Sequence, residues 1–216
     1  MVSHARSRPA HNAYAPVAAA YAERYFDELA HKPFDRMWLD RFADLTRALG
    51  RVCDAGCGPG QVARYLRDRG VSDIFGIDIS EEMVQQAAHL SSDIAFERQD
   101  ILALDLPPDS LGGIVAFYAI VHFDLEQVEQ AFRGFQRTLR RGGYVLVAFH
   151  VGDEVRHVDE LLGSPVDMDF VFFQPDDVIA RFEAAGLEVQ ETTLRYPYPD
   201  VEVATRRAYI LARRPD

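Results

Sequence analysis

The chain has 216 residues, 48% of them hydrophobic and 26% charged, enough to bury a sizeable core, and it reads as one soluble globular domain. Its net charge of -11 repels polyanions, so nucleic acid and anionic membrane surfaces are not expected partners. Two cysteines, Cys53 and Cys57, are too few for a disulfide scaffold and lack the partners of a zinc site, which points to a reduced, cytoplasmic setting without a metal centre.

The opening "MVSHARSRPAHNAYAP" has no apolar run of the kind a signal peptide needs, and nothing approaches eighteen uninterrupted apolar residues. Residues 1–12 are polar around Pro9 and read as a disordered tail; residues 13–216 read as a single domain. Within it, residues 13–50 are helical, with Pro33 in a first turn and Gly50 as a stop. Phe34, Met37, Trp38, Leu39, Phe42 and Leu45 recur there at helical spacing, as core residues do.

From Gly50 onward the hydrophobic period switches repeatedly between strand and helix. "RVCDA" predicts a buried strand, "GQVARYLRDRG" a helix closed by Gly70, and "DIFGID" a second strand. Ser80 then caps "SEEMVQQAAHL", whose Glu81 and Glu82 suit the positive end of the helix dipole. "IAFERQ" is a third strand and "GGIVAFYAI" a fourth. Asp124 opens a helix with Val128, Phe132, Phe135 and Leu139 on one stripe, and "GYVLVAFH" follows as strand five. Residues 151–173 read as an insertion on the substrate side. A helix from Pro175 to Gly186 and two strands, "LEVQETTLR" and "VATRRAYILA", complete residues 174–216. Such alternation implies parallel pairing, right-handed crossovers and a doubly wound α/β sheet. Ligands of these sheets bind beyond the carboxyl ends of the strands, which selects residues 54–60, 78, 100, 117–122 and 149–157.

The turn after strand one, "VCDAGCGPG", restricts what can bind there. Gly56, Gly58 and Gly60 allow close approach of backbone to ligand. A triphosphate-binding loop would continue with Gly-Lys-Ser or Gly-Lys-Thr, but Gln61 and Val62 follow. A dinucleotide fingerprint needs a glycine where Gln61 stands, and Pro59 removes a donor. Asp54 at the strand end favours a ligand with an ammonium group. Asp78, about twenty residues past the loop, has the spacing at which a carboxylate meets ribose hydroxyls. Asp100 follows strand three, where it can accept from an adenine amine, with Ile79 and Ile101 beside the base.

"VCDAGCGPG", "IFGIDISEEM" and "FERQDIL" resemble the cofactor motifs of class I S-adenosylmethionine-dependent methyltransferases. "LRRGGYVLVAFH" resembles the approach to their fifth strand, and "FQPDDVIARFEAAGLEV" their late helix and sixth strand. The resemblance implies a Rossmann-like, mostly parallel seven-stranded sheet under an amino-terminal helical cover, with residues 51–150 as the cofactor-binding core. It also implies S-adenosylmethionine as cofactor. Asp54, Ala55, Gly56, Gly58 and Gly60 would hold the methionine moiety, Asp78 the ribose, and Asp100 with Ile101 the adenine. Met83 and Phe117 match positions lining the adenosine pocket, and Tyr14 and Tyr21 resemble tyrosines of the cover. Where the family often begins strand four with aspartate, Gly113 stands.

Base methylation of nucleic acid would call for a pocket cysteine or an Asn-Pro-Pro-Tyr segment, and neither is present, which leaves an oxygen, nitrogen or carbon of a small molecule as acceptor. Strand six is expected to run parallel to strand five and bring Tyr196 and Tyr198 toward the cofactor edge. Arg206 and Arg207, alternating along the last strand, read as a solvated pair. Six acids against Arg156 in the insertion also read as a solvated face, or as an attraction for cationic acceptors. Histidine suits a base near neutrality, and His122 and His150 follow strands four and five at the ligand edge, with His157 nearby. Two alternatives stay open: a nicotinamide-dependent oxidoreductase, which would share Asp78, and a noncatalytic S-adenosylmethionine-binding module. Nothing in the sequence fixes an oligomeric state.

Overall fold

A computed structural model describes residues 13–216; the expected tail over residues 1–12, with His4 and His11, lies outside the described residues. The chain begins with a short 3-10 turn, Ala15–Val17, then helix α1, Ala18–Tyr25, a second 3-10 turn, Glu28–His31, and helix α2, Pro33–Thr46. Pro33 opens α2 as expected, since its missing N–H is lost at no cost in a first turn. Trp38, Leu39, Phe42, Ala43 and Thr46 form the buried stripe of α2. Met37 falls off that stripe and is 51% exposed, a correction to its reading as core.

Seven strands form one sheet in the order β3-β2-β1-β4-β5-β9-β8. They are β1 Val52–Ala55, β2 Ile74–Asp78, β3 Ala95–Arg98, β4 Leu111–Phe117, β5 Leu139–Val151, β8 Glu188–Arg195 and β9 Arg206–Arg213. All neighbours pair in parallel except at β9, which is antiparallel to both β5 and β8. Helix α3, Gln61–Asp68, and helix α4, Glu81–Leu90, link the first three strands. Helix α5, Leu125–Thr138, precedes β5, and helix α6, Pro175–Ala184, precedes β8. Side chains alternate along β5, so Val145, Val147 and Phe149 join one core and Leu146 and Ala148 the other. A sheet covered on both faces therefore shows the near-continuous apolar run that the sequence has there.

Local signals set the element ends. Ser80 Oγ accepts from Met83 N–H at 3.3 Å to start α4. Asp124 and Gln127 form a reciprocal capping box on α5, at 2.8 and 3.0 Å. Phe132 of α5 stacks on Phe182 of α6 with centroids 3.9 Å apart. Leu139 does not close the α5 stripe, as expected from spacing, but begins β5. Strand four stops earlier than predicted, at Phe117, because Tyr118 turns to φ +55. The glycine at position 113 has a packing cause: a Cβ there would lie 2.6 Å from Thr46 Cγ2 and 2.8 Å from Phe42 Cζ, so α2 leaves no room for the family's aspartate.

The insertion over residues 151–173 is a hairpin of β6, Val155–Leu161, and β7, Ser164–Val171, forming its own two-stranded sheet. Leu162 and Gly163 both have positive φ, the geometry of a tight hairpin turn. Val171 N–H donates to Val121 O at 2.6 Å and Phe173 N–H to His150 O at 3.1 Å, fixing the hairpin to the ends of β4 and β5. Strand β8 does run in the same direction as β5, with β9 between them. No helix among the described residues is long and apolar enough to cross a membrane.

Candidate active site

The glycine turn between β1 and α3 faces the carboxyl ends of β2 and β3. Gly56 and Cys57 both donate backbone N–H groups to Ile77 O, at 2.8 and 2.9 Å, which folds the turn back onto β2. Gly56 has φ +73, and a Cβ on it would stand 2.5 Å from Ala119 Cβ. Gly58 has φ +52 and nothing within 4 Å of where a Cβ would project, so the turn opens onto free space at that point. Its N–H donates to Asp78 Oδ2 at 2.9 Å, while Asp78 Oδ1 accepts from Ser80 N–H at 2.9 Å. Asp78 thus joins the turn to the start of α4. Burial raises its carboxyl above the ordinary value, and the N–H groups of Ser80, Gly58 and Ile79 oppose that. With these three N–H groups in place, one of the roughly four lone-pair sites of the carboxylate is left for a hydroxyl donor.

Asp100 Oδ1 accepts from Leu102 N–H at 2.8 Å, beginning a 3-10 turn over Ile101–Ala103. Ile101 and Met83 are buried, and Ile79 is half-buried beside them in sequence to Asp78. Phe117 packs on Tyr118 and Tyr209, in the core layer beneath α2.

Asp54 departs from its expected role. The residue is 1% exposed, and Oδ2 accepts from Ala63 N–H at 2.9 Å, so its carboxylate serves the first turn of α3. Burial lifts its pKa to about 7, with the Ala63 bond opposing and the Asp78 charge adding to the rise. Ala55, the last residue of β1, is wholly buried.

Above the turn lies the cover. Tyr14 and Tyr21 meet edge to face at 5.6 Å, and Tyr21 rests on Tyr25 at 4.4 Å. Burial, and then the nearby negative groups that include Asp78, hold both Tyr14 and Tyr21 hydroxyls above their ordinary pKa, so both stay protonated. Tyr14 Oη is 2.8 Å from His122 Nε2, and His122 Nδ1 is 2.7 Å from Asp169 O on β7. A carbonyl oxygen only accepts, which places the ring proton on Nδ1 and leaves Nε2 to accept from Tyr14. Burial keeps the His122 pKa below 6.5 despite the Asp169 contact, so the ring is neutral. Three distant segments, the cover, the end of β4 and the hairpin, converge on this one imidazole.

His150 is placed differently. Its Nδ1 lies 2.7 Å from Thr205 Oγ1, and burial followed by the Arg207 and Lys32 charges pushes its pKa down to about 3. Such a ring is too weakly basic to take a proton near neutrality, which corrects its reading as a second base. His157 is more than half exposed and pairs with Asp169 Oδ1 at 2.9 Å, on the far side of the strand from His122.

A buried charge cluster behind His150 was not legible in the sequence. Arg195 and Arg207 are register partners on β8 and β9, two like charges side by side. Glu202, on the connection between them, accepts from Arg195 at 2.6 and 2.8 Å and lies 3.2 Å from Arg207 Nε. Arg195 Nη2 also donates to Asp35 of α2 at 2.7 Å, Arg195 Nε donates to Tyr209 Oη at 2.9 Å, and Lys32 reaches Glu28 at 2.5 Å and Glu202 at 3.6 Å. Burial pushes the Glu202 carboxyl up, but Arg195, the Tyr198 N–H and Arg207 outweigh it and bring the pKa to about 2. Arg207 is thus buried at 3% exposure, not solvated as its alternation with Arg206 implied. Nor do the tyrosines of "YPYPD" form an aromatic wall: Tyr196 is 79% exposed, while Tyr198 Oη accepts from Phe34 N–H at 3.0 Å and lies under Arg195. The one advance signal was Asp35, a charge on an otherwise apolar face of α2.

Residues 52–143, from β1 into β5, match the family model described as a methyltransferase domain. A malonyl-[acyl-carrier protein] O-methyltransferase of Salmonella typhimurium is 30% identical over 147 residues, covering 54% of this chain and 58% of the relative. A phosphoethanolamine N-methyltransferase of Plasmodium falciparum is 28% identical over 113 residues, covering 51% of this chain and 42% of the relative. The chain thus spans about half the length of these two curated relatives. Among solved structures, an S-adenosylmethionine-dependent methyltransferase of Methanosarcina mazei superposes with a TM-score of 0.68 at 14% identity, over 76% of this chain and 92% of that one. With the glycine turn, the strand-end carboxylates and a sheet of this order in place, residues 52–143 carry a methyltransferase domain, and the fold is that of the S-adenosylmethionine-dependent methyltransferases.

Proposed function

We propose that the chain transfers a methyl group from S-adenosylmethionine to an oxygen, nitrogen or carbon of a small-molecule acceptor. The residues present fit that cofactor: free space stands over Gly58, Asp78 keeps a lone pair for a ribose hydroxyl, and Asp100 with Ile101 follows strand β3, where they would meet the adenine. When bound, the sulfonium supplies an electrophilic methyl group, and the protein's share is orientation, a dry site and the fate of one proton. The Salmonella relative is named for O-methylation and the Plasmodium relative for N-methylation, so the likeness leaves the accepting atom open.

The observation that carries the reading is the Tyr14 to His122 contact. Tyr14 gives its hydrogen to Nε2 and keeps oxygen lone pairs to receive one from an acceptor hydroxyl or ammonium. As the acceptor proton reaches Tyr14 Oη, the Tyr14 proton passes to His122 Nε2, and the resulting imidazolium keeps its Nδ1–H on Asp169 O. Incubating the protein with labelled S-adenosylmethionine and a panel of small metabolites, followed by mass spectrometry, is the direct test. Label should enter one small molecule and no tRNA, rRNA or duplex DNA. Label in nucleic acid, or cofactor binding without transfer to any of a broad panel, contradicts the reading, and the latter outcome favours a noncatalytic binding module.

A further inference from the structure

A row of rings closed at both ends by cations crosses the carboxyl edge of β4 and β5, and the proton relay uses none of it. Arg156 of β6 lies over the Phe172 ring at 5.0 Å, and Phe172 stacks on His150 at 5.4 Å. His150 meets Tyr118 at 5.1 Å, and Lys32 Nζ stands 5.8 Å from the Tyr118 centroid. The members come from the hairpin, β5, the end of β4 and the cover, so only the folded site assembles them. Because ring faces are taken up by one another and by the two cations, the rims remain for a ligand, and the rim is the positive part of an aromatic quadrupole. Tyr118 is held at φ +55, a left-handed conformation that a bulky residue rarely adopts, and strain of this kind gathers at ligand sites.

Three cations, Arg207, Lys32 and Arg156, and the anion Glu202 bear on the His150 ring in a chain whose net charge is -11. A cavity of about 430 Å³ opens beside it, lined by Arg156, Phe172, Thr205 and Arg206 together with Asp153 and Glu154. Glu154 and Arg156 pair with each other at 2.7 Å, and Asp153 accepts from the Gln174 amide at 2.9 Å. Arg206 forms no ion pair among the described residues, and Thr205 Oγ1 is already joined to His150. Cavities of this size hold small organic ligands.

We propose that this end of the row is the anion-reading part of the acceptor site, and that the acceptor carries a compact oxyanion, a carboxylate or a phosphate, docked between Arg156 and Arg206 over Phe172 and Thr205. The acceptor role rests on the methyl-transfer reading; the anion preference rests on the cations and rims alone. Of the hairpin's acids, Asp167 and Asp169 alternate onto the strand face opposite Met168 and Phe170.

The test uses the full chain, with and without S-adenosylhomocysteine, and four probes in ligand-observed NMR titrations: benzoate, phenyl phosphate, benzylamine and benzyl alcohol. Benzoate or phenyl phosphate should bind at least about tenfold more tightly than benzylamine, and the stronger of the two names the group. The double variant Arg156→Gln with Arg206→Gln should cost the anionic probes at least about tenfold, leaving benzyl alcohol binding and the melting temperature unchanged. Benzylamine binding as tightly as benzoate, no anion binding, or anion binding untouched by the double variant overturns the proposal. Calorimetry of S-adenosylhomocysteine on the same samples reads the methyl-transfer proposal separately: its failure there sinks that reading, while the four probes still decide the anion site.

Discussion

His122 has two fixed neighbours and one fixed tautomer, so its chemistry makes a sharp expectation. His122→Ala should lower turnover by roughly a hundredfold or more with cofactor affinity near wild type. Tyr14→Phe keeps the ring over the turn and removes the hydrogen the relay needs, so it should show the same loss when the acceptor must lose a proton. Protonating Nε2 removes the acceptor for Tyr14. With the His122 pKa held below 6.5, the rate should stay level from neutrality into mild acid and fall only beneath the ordinary imidazole range. A pH-rate profile measured on wild type and His122→Ala checks this: the acidic limb should vanish in the variant. Full turnover and an unchanged limb would leave orientation as the whole mechanism.

Asp54 tests the other correction made at this scale. A carboxyl raised to about 7 in the folded chain binds its proton more tightly than in the unfolded chain. Its contribution to stability is therefore whole in acid and is lost as pH climbs from the ordinary carboxylate range through 7. Asp54→Asn keeps an oxygen for Ala63 N–H without a charge to desolvate, so it should melt higher than wild type at pH 8, the gap closing toward pH 5. Melting curves across that range settle the sign, and an Asn variant less stable at pH 8 contradicts the buried, capping role. Asp78→Ala, by contrast, should weaken S-adenosylmethionine and S-adenosylhomocysteine by a few kcal/mol at most, about what a lost pair of charge-assisted hydrogen bonds costs.

Among the elements, the cover and the last hairpin are joined by charge, not by apolar packing alone. Glu202 has a side chain 1% exposed and holds Arg195 and Arg207 together. Glu202→Gln should cost about 3–5 kcal/mol, the range for breaking a buried ion pair, and should loosen α2 because Asp35 and Lys32 share the cluster. Denaturant melts measure the loss; a change under about 1 kcal/mol would show the cluster to be replaceable. At the joint of α2 with β4, Gly113→Ala should destabilise by about 1–3 kcal/mol through overpacking against Thr46 and Phe42.

The sequence made the sheet legible because each strand and helix of the alternating region carries its own local signal: an apolar run before the glycine turn, Ser80 before α4, Asp124 with Gln127 before α5. The positions of Asp78, Asp100 and the three glycines at the strand ends were legible for the same reason, as spacing along a single stretch. What escaped is non-local. Arg195, Glu202 and Asp35 meet only after β8 and β9 pair and α2 docks on them. The direction in which Asp54 points depends on α3 folding back over its own strand. His122 could be named as a site residue from its place after β4, but its partners lie 108 residues before it and 47 after.

At the scale of the whole molecule, the sheet brings its carboxyl edges to one side, and the cover and the hairpin enclose that side from opposite directions. In the proposed reading the glycine turn, Asp78 and Asp100 would take the adenosyl end of the cofactor; the Tyr14–His122 pair meets the hairpin at Asp169. The central claim is that this edge binds S-adenosylmethionine and not a nicotinamide dinucleotide. Parallel calorimetric titrations of the wild-type chain and Asp78→Ala with S-adenosylmethionine, S-adenosylhomocysteine and NADH test it most directly. The account predicts one site per chain for the first two ligands, weakened together by Asp78→Ala, and no heat from NADH. Saturable NADH binding at that site, or S-adenosylmethionine affinity unchanged in Asp78→Ala, would contradict it.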